Sequence, residues 1–157
     1  MSSIPVIHSS FVLERSYSKP AASVFAAFSD PAKKRRWFAE GEGHELALFE
    51  MDFRVGGVER HRYRMKAGTP VAGLELANEC RFDVITPDRL VVMSQTMDLG
   101  GKRISASLVT FELRPTSTGT DLICTHQAAY FEGADGPDMR KQGWVALLAN
   151  LNAELAR

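Results

Sequence analysis

The chain has 157 residues, 45% of them apolar and 24% charged, the make-up of one soluble globular domain that can bury a substantial core. Nineteen basic and nineteen acidic residues cancel to a formal net charge of zero, which argues against a general electrostatic hold on nucleic acid or an anionic membrane. Cys80 and Cys124 each sit in an apolar, strand-like run with no CxxC or CxxH spacing, so free buried thiols are expected, not a disulfide framework or a metal site. Residues Met1 to Ser10 lack the basic and then apolar segments of a secretory signal. No apolar stretch approaches the roughly 18 residues that span a bilayer, so a cytoplasmic location without membrane association is expected.

Phe11 to Tyr17 alternates and predicts a first strand, Phe11 and Leu13 on one side and Val12 and Glu14 on the other. Lys19-Pro20 opens a helix whose apolar side is Val24, Phe25 and Phe28. Asp30-Pro31 breaks it and starts a second, Asp30 as cap and Pro31 in the first position, running from Ala32 to Phe38. Within it, Lys33-Lys34-Arg35-Arg36 point around the whole helix, so a solvated run is expected instead of one basic face. Trp37 and Phe38 end the helix just before Glu40-Gly41-Glu42-Gly43, and they either pack on a sheet or wall the mouth of a pocket.

His44 to Met51 predicts the next strand, and Asp52 to Gly57 a turn whose glycine pair lacks the spacing of a phosphate loop. Along Val58 to Met65, Arg60, Arg62 and Arg64 share one face and Glu59, His61, Tyr63 and Met65 the other. The arginine face is expected to be solvated, which turns His61, Tyr63 and Met65 inward. After a connection over Lys66 to Gly73, Leu74 to Ile85 predicts a long strand with Leu74, Leu76, Cys80, Phe82 and Val84 on one side. Arg89 to Gln95 and Ile104 to Leu113 follow. In the latter, Ser105 and Ser107 share a face with Val109, Phe111 and Leu113, and two small hydroxyls there fit a cavity better than a filled core. A polar turn, Pro115 to Thr120, leads to a last strand with Leu122, Cys124 and His126 on its apolar face. Tyr130 to Pro137 is a flexible connection into a helix from about Asp138 to Ala156, whose Trp144, Leu147, Leu148, Leu151 and Leu155 fall in a stripe about 100° wide.

This order of elements resembles the helix-grip fold of the START and birch-pollen-allergen superfamily, often called SRPBCC. Local matches are similar to one branch, that of the C-terminal domain of the activator of the heat-shock protein 90 ATPase. They are Pro20 with Val24 to Pro31 and Trp37, then Asp52 to Gly57, Pro87 to Val91, Val109 to Leu113, Gly119-Thr120 with Thr125-His126, and Gly143-Trp144. The resemblance runs from Phe11 to Leu155 within a single domain taken as 1–157. It implies an α+β fold in which a curved antiparallel sheet of about seven strands wraps around the C-terminal helix, with two short helices after strand 1. It further implies a largely apolar cavity between sheet and helix, serving lipid or hormone binding, polyketide cyclisation or co-chaperone activity in different branches. Fold alone does not choose among these, and no additional domain for chaperone binding is seen.

Strand alternation then makes Trp37, Phe49, His61, Tyr63, Met65, Phe82, Met93, Phe111, His126, Trp144 and Leu148 the candidate ligand-binding residues. Apolar area supplies affinity and a few polar tips supply orientation. His126, on an otherwise apolar face, is the candidate catalytic residue, able to act as a general acid or base beside His61 and Tyr63. Arg140 lies one turn before Trp144 and about 40° from it around the helix, so it either meets a ligand carboxylate or carries its charge out to solvent. No cofactor is expected and no metal, because the two histidines and Glu59 have no local ligand spacing. A G-x-S-x-G elbow is also missing. The expected role is binding of a small hydrophobic or aromatic molecule, with a cyclase, dehydratase or hydrolase using His126 as one alternative and a chaperone-type protein partner as another. A homodimer is compatible with each.

Overall fold

A computed structural model of the chain describes residues 5–68 and 71–157. Residues 1–4, part of the stretch read as lacking a signal, and 69–70, inside the connection read over Lys66 to Gly73, lie outside the described residues. Strand β1 (Ile7–Tyr17) leads into helices α1 (Ala21–Ser29) and α2 (Pro31–Lys34), the second continuing as a π-helical turn, Arg35–Ala39. Six strands follow, β2 (His44–Met51), β3 (Val58–Met65), β4 (Glu75–Thr86), β5 (Leu90–Leu99), β6 (Lys102–Pro115) and β7 (Thr120–Tyr130), and then helix α3 (Pro137–Leu155). The seven strands form one antiparallel sheet in the order β1-β7-β6-β5-β4-β3-β2. Each strand from β2 to β7 pairs with the next, and β1 closes on β7. This is the expected α+β helix-grip arrangement. Among the described residues no helix is long and apolar enough to cross a membrane.

The sheet has two chemically different faces, as its period-2 sequences require. Along β3, Glu59, His61 and Tyr63 are buried while Arg60, Arg62 and Arg64 are exposed. On the outer face Arg60 reaches Glu50 and Glu79 across the neighbouring strands, and Arg103 pairs with Asp98. The arginine row is therefore partly neutralised by its own sheet. Both cysteines are free and buried on the inner face.

Helix α3 lies on that inner face, burying Arg140, Trp144, Leu148, Leu151 and Glu154. Tyr17 donates its hydroxyl proton to the Leu148 carbonyl at 3.1 Å, tying the helix to β1. At its other end Glu154 accepts two hydrogen bonds from Arg36, at 2.7 and 2.8 Å, which fasten α3 to the π-helical turn. Asp30 caps α2 through Ala32 N at 2.9 Å, as expected.

Three expectations need correction. The second helix is not one regular helix to Phe38: the Glu40 amide bonds the Arg35 carbonyl five residues back at 2.9 Å, adding a residue to the last turn. Val84 does not share the buried face of Cys80 and Phe82 but is 42% exposed. A bulge between Phe82 and Val84 shifts the register and turns the rest of the strand over. Leu74 precedes the strand and is exposed.

The turn between β2 and β3 shows how closely backbone packs at the edge of the core. Gly56 has φ +83°, its amide donates to the Phe82 carbonyl at 2.8 Å while the Phe82 amide donates to the Gly57 carbonyl at 3.0 Å, and Phe53 rests on Phe82 with ring centroids 4.9 Å apart. A Cβ on Gly57 would collide with the Asp52 carbonyl and stand 2.9 Å from that of Arg54. Gly57→Ala is expected to destabilise the protein by about 1–3 kcal/mol, as overpacking typically does, read as a lower urea midpoint with an unchanged slope.

Candidate functional site

The inner face of the sheet is graded from polar to apolar, and strand register builds the gradient. One cross-strand row reads Phe49, His61, Asn78, Met97, Ser105, Tyr130 from β2 to β7. The next reads Met51, Glu59, Cys80, Gln95, Ser107, Ala128, and the one after it Phe82, Met93, Val109, His126. Beyond these come Phe111 with Cys124 and Leu113 with Leu122. Polar side chains thus collect at one end, beneath the N-terminal turn of α3, and give way to hydrocarbon along the helix.

Two charged clusters occupy this interior. In the first, Lys34, Glu59 and His61 are all at most 1% exposed. Glu59 accepts from Lys34 Nζ at 2.9 Å through Oε1 and contacts His61 Nε2 at 2.6 Å through Oε2. The Lys34 ammonium stands 4.3 Å from the centroid of the Phe38 ring, a cation–π contact strengthened by desolvation. Phe49 stacks on His61 at 5.4 Å. Burial alone pushes the Glu59 carboxyl up, but the Lys34 charge and the His61 hydrogen bond outweigh it and hold it below the usual carboxylate range.

In the second cluster, Arg140 is 5% exposed. Its Nε and Nη2 donate to the two carboxylate oxygens of Asp135 at 2.8 and 2.7 Å, and Nη2 also reaches Ser105 Oγ at 2.9 Å and Met97 Sδ at 3.3 Å. The guanidinium carbon lies 5.2 Å from the Tyr130 ring centroid. Next along the face, His126 is sandwiched between Phe11, stacked at 4.7 Å, and Trp144 at 5.8 Å. Burial first, and then the Arg140 charge, push its imidazole down to about 4, so it is neutral at pH 7.

Six buried side-chain atoms among the described residues find no hydrogen-bond partner within the chain: His61 Nδ1, Asn78 Oδ1, Ser107 Oγ, both His126 ring nitrogens and Tyr130 Oη. All belong to inner-face positions of β3, β4, β6 and β7. Each such group left unpaired costs about 1–3 kcal/mol, and native folds tolerate few.

The structure brings most of the predicted site residues to this interior. Trp37, His61, Tyr63, Phe82, Met93, Phe111, His126, Trp144 and Leu148 are buried, while Phe49 and Met65, near the β2 edge, are partly exposed. Trp144 stands at the centre, 5.6 Å from Phe38 and 5.8 Å from Phe111. His61 and His126 do not converge: each belongs to its own cluster, separated by the width of three strands. Arg140 does not carry its charge to solvent, since Asp135 and Ser105 hold it inside, and the room left by Ser105 is taken up by that guanidinium. Lys34 is likewise not solvated, because it lies three and four residues before Trp37 and Phe38 and shares their buried face. That spacing, with Glu59 on the inner parity of β3, was the available signal for the ion pair. Tyr130, read as part of a loop, has the parity of His126 and ends the strand. Asp135 carried no signal. Among the described residues no group of three or more His, Cys, Asp or Glu side chains is placed to hold a metal ion.

Comparison with known proteins places this geometry. The family model described as activator of Hsp90 ATPase homolog 1-like protein matches residues 18–156. Among solved structures, a protein of Rhizobium loti is 42% identical, with 96% of this chain and 99% of that one covered at a TM-score of 0.85. A protein of Rhizobium leguminosarum is 33% identical over 99% of both chains, at a TM-score of 0.91. An AHSA1-like protein of Aeromonas hydrophila, at 20% identity, shares the fold over 94% of this chain and 92% of its own, with a TM-score of 0.67. No curated protein matches.

Lys34→Met strands a carboxylate in the core and should cost about 3–5 kcal/mol in urea unfolding at pH 7. Adding Glu59→Gln removes the stranded charge and should restore most of the loss. For His126, the unfolded chain takes up a proton near pH 6.5 and the folded chain only near 4. Its contribution is therefore complete above pH 6.5 and drains away as pH falls toward 4, by on the order of 2–3 kcal/mol. His126→Phe should flatten that part of the stability–pH curve.

Proposed function

We propose, from the premise that this chain belongs to the activator of Hsp90 ATPase homolog 1-like family, that it binds a small, largely aromatic or hydrophobic molecule between α3 and the inner face of the sheet. The family's START-like fold is of the ligand-binding kind. The observation carrying the proposal is the set of six buried polar atoms without partners in the chain, gathered on one face. Buried donors and acceptors that the protein itself leaves unpaired are met by ordered water or by a bound ligand, and a few of them gathered on one face of an apolar interior are what orients a small ligand. Around them, Phe38, Phe111, Met93 and Trp144 supply the apolar area that gives such a molecule its affinity. Trp144 is the side chain a ligand must move or stack upon, because it occupies the centre of the space.

His126 is the imidazole through which turnover of a bound carbonyl compound would run, but burial and the Arg140 charge, which push it down to about 4, make it a weak base at pH 7. Any such activity should vanish in His126→Ala. Native mass spectrometry of the protein purified from its own host is expected to show a small co-purifying molecule. In Trp144→Ala its affinity should fall about tenfold, equivalent to roughly 1.4 kcal/mol. A co-purifying protein in its place, or ligand affinity unchanged in Trp144→Ala, would overturn the proposal.

A further inference from the structure

We infer that Arg140 is the anchor for the carboxylate of an aromatic acid, and that Asp135 occupies this anchor until the acid displaces it. This rests on the binding function proposed above and gives the ligand a chemical class. A guanidinium buried to 5% exposure at the polar end of an aromatic interior is matched to a planar, two-oxygen anion. At present that anion is Asp135, held by two short hydrogen bonds. Asp135 is the more accessible partner, its side chain 23% exposed against 6% for Arg140.

Backbone and charge both permit the exchange. Asp135 sits on the connection between β7 and α3, outside any strand or helix, and the glycines on either side of it in that segment, Gly133 and Gly136, each have φ +86°. Replacing one carboxylate by another leaves the buried guanidinium paired at every stage that matters, so no bare charge is left in the core. Arg140 Nη1 makes no hydrogen bond among the described residues, since Nε and Nη2 make all of those observed. A second anion can therefore dock on it before Asp135 leaves.

The surroundings independently call for a ligand. Tyr130, 2% exposed, has its ring against the guanidinium and its hydroxyl unpartnered. Ser107 Oγ and both nitrogens of His126 are also buried and unpartnered. His126, being neutral, adds no competing charge. From this polar end the face continues to His126 and Phe111, each packed on Trp144 at 5.8 Å, so an aromatic body extending from the acid group would take its place by moving Trp144 or stacking on it.

The test is isothermal titration of the full chain with 2-naphthoate and with its neutral counterpart 2-naphthamide. The wild type should bind the acid at least about tenfold more tightly than the amide, a difference typical of one good charge-paired contact. Asp135→Asn should tighten naphthoate binding by about another tenfold while leaving naphthamide unchanged, and Arg140→Met should abolish the preference. If Arg140→Met fails to fold, Asp135→Asn decides, with the rise in Tm on adding naphthoate, larger than in the wild type, as its second readout. Equal binding of acid and amide in both wild type and Asp135→Asn overturns the anchor and leaves the apolar binding function standing. Binding of neither compound defeats both.

Discussion

The Lys34–Glu59 ion pair is the constraint on which the interior depends. Neither charge is at ease in the core alone, because an unpaired ion there costs several kcal/mol, so the pair favours the arrangement in which the end of α2 sits over β3. Once Lys34 is fixed, the π-helical turn after it places Trp37 and Phe38 against the sheet. Trp37 is then locked by its indole N–H donating to the Ala27 carbonyl at 2.8 Å. The aromatic wall facing α3 is thus held by a polar contact on its hidden side. Replacing such a pair by well-packed hydrocarbon is often neutral or stabilising, whereas removing one partner alone is strongly destabilising.

A second consequence follows from register. In an antiparallel sheet of seven strands, side chains distant in sequence become neighbours in a row, and this sheet segregates its rows by polarity. Helix α3 matches the gradient, with Arg140 over the polar rows and Trp144, Leu148 and Leu151 over the apolar ones. The interior is therefore amphiphilic along the helix axis, polar under the first turn of α3 and apolar beyond it. The two polar clusters do different work within it. The Lys34–Glu59–His61 cluster is closed and deeply buried, whereas the Arg140–Asp135 pair includes a partly exposed loop carboxylate.

Kinship with the two rhizobial structures extends along nearly the whole chain, yet neither family nor fold names a ligand. The chemistry has to come from individual side chains. Those that matter most are polar residues in places where hydrocarbon would pack better: His126 between two aromatic rings, Tyr130 and Ser107 with unmet hydroxyls, Asn78 in a row with His61. Each costs stability unless its hydrogen bonds are completed.

Alternation along β3, β6 and β7, the glycine turn at Gly56-Gly57 and the apolar stripe of α3 were legible in the sequence, because period and turn chemistry are local properties of the chain. They determined the strands, the helix and the inward direction of His61, Phe111, His126 and Trp144. The bulge that exposes Val84 was not legible, since inserting one residue into a ladder depends on the partner strand. Equally hidden were the burial of Lys34 and Arg140. A charged residue reads as solvated until the opposite charge that neutralises it is known, and Glu59 and Asp135 reach them only through the tertiary fold. Sequence alone therefore determined which faces are buried, and tertiary structure decided which charges go inside with them, because electrostatic pairing is set by distance in space and not along the chain.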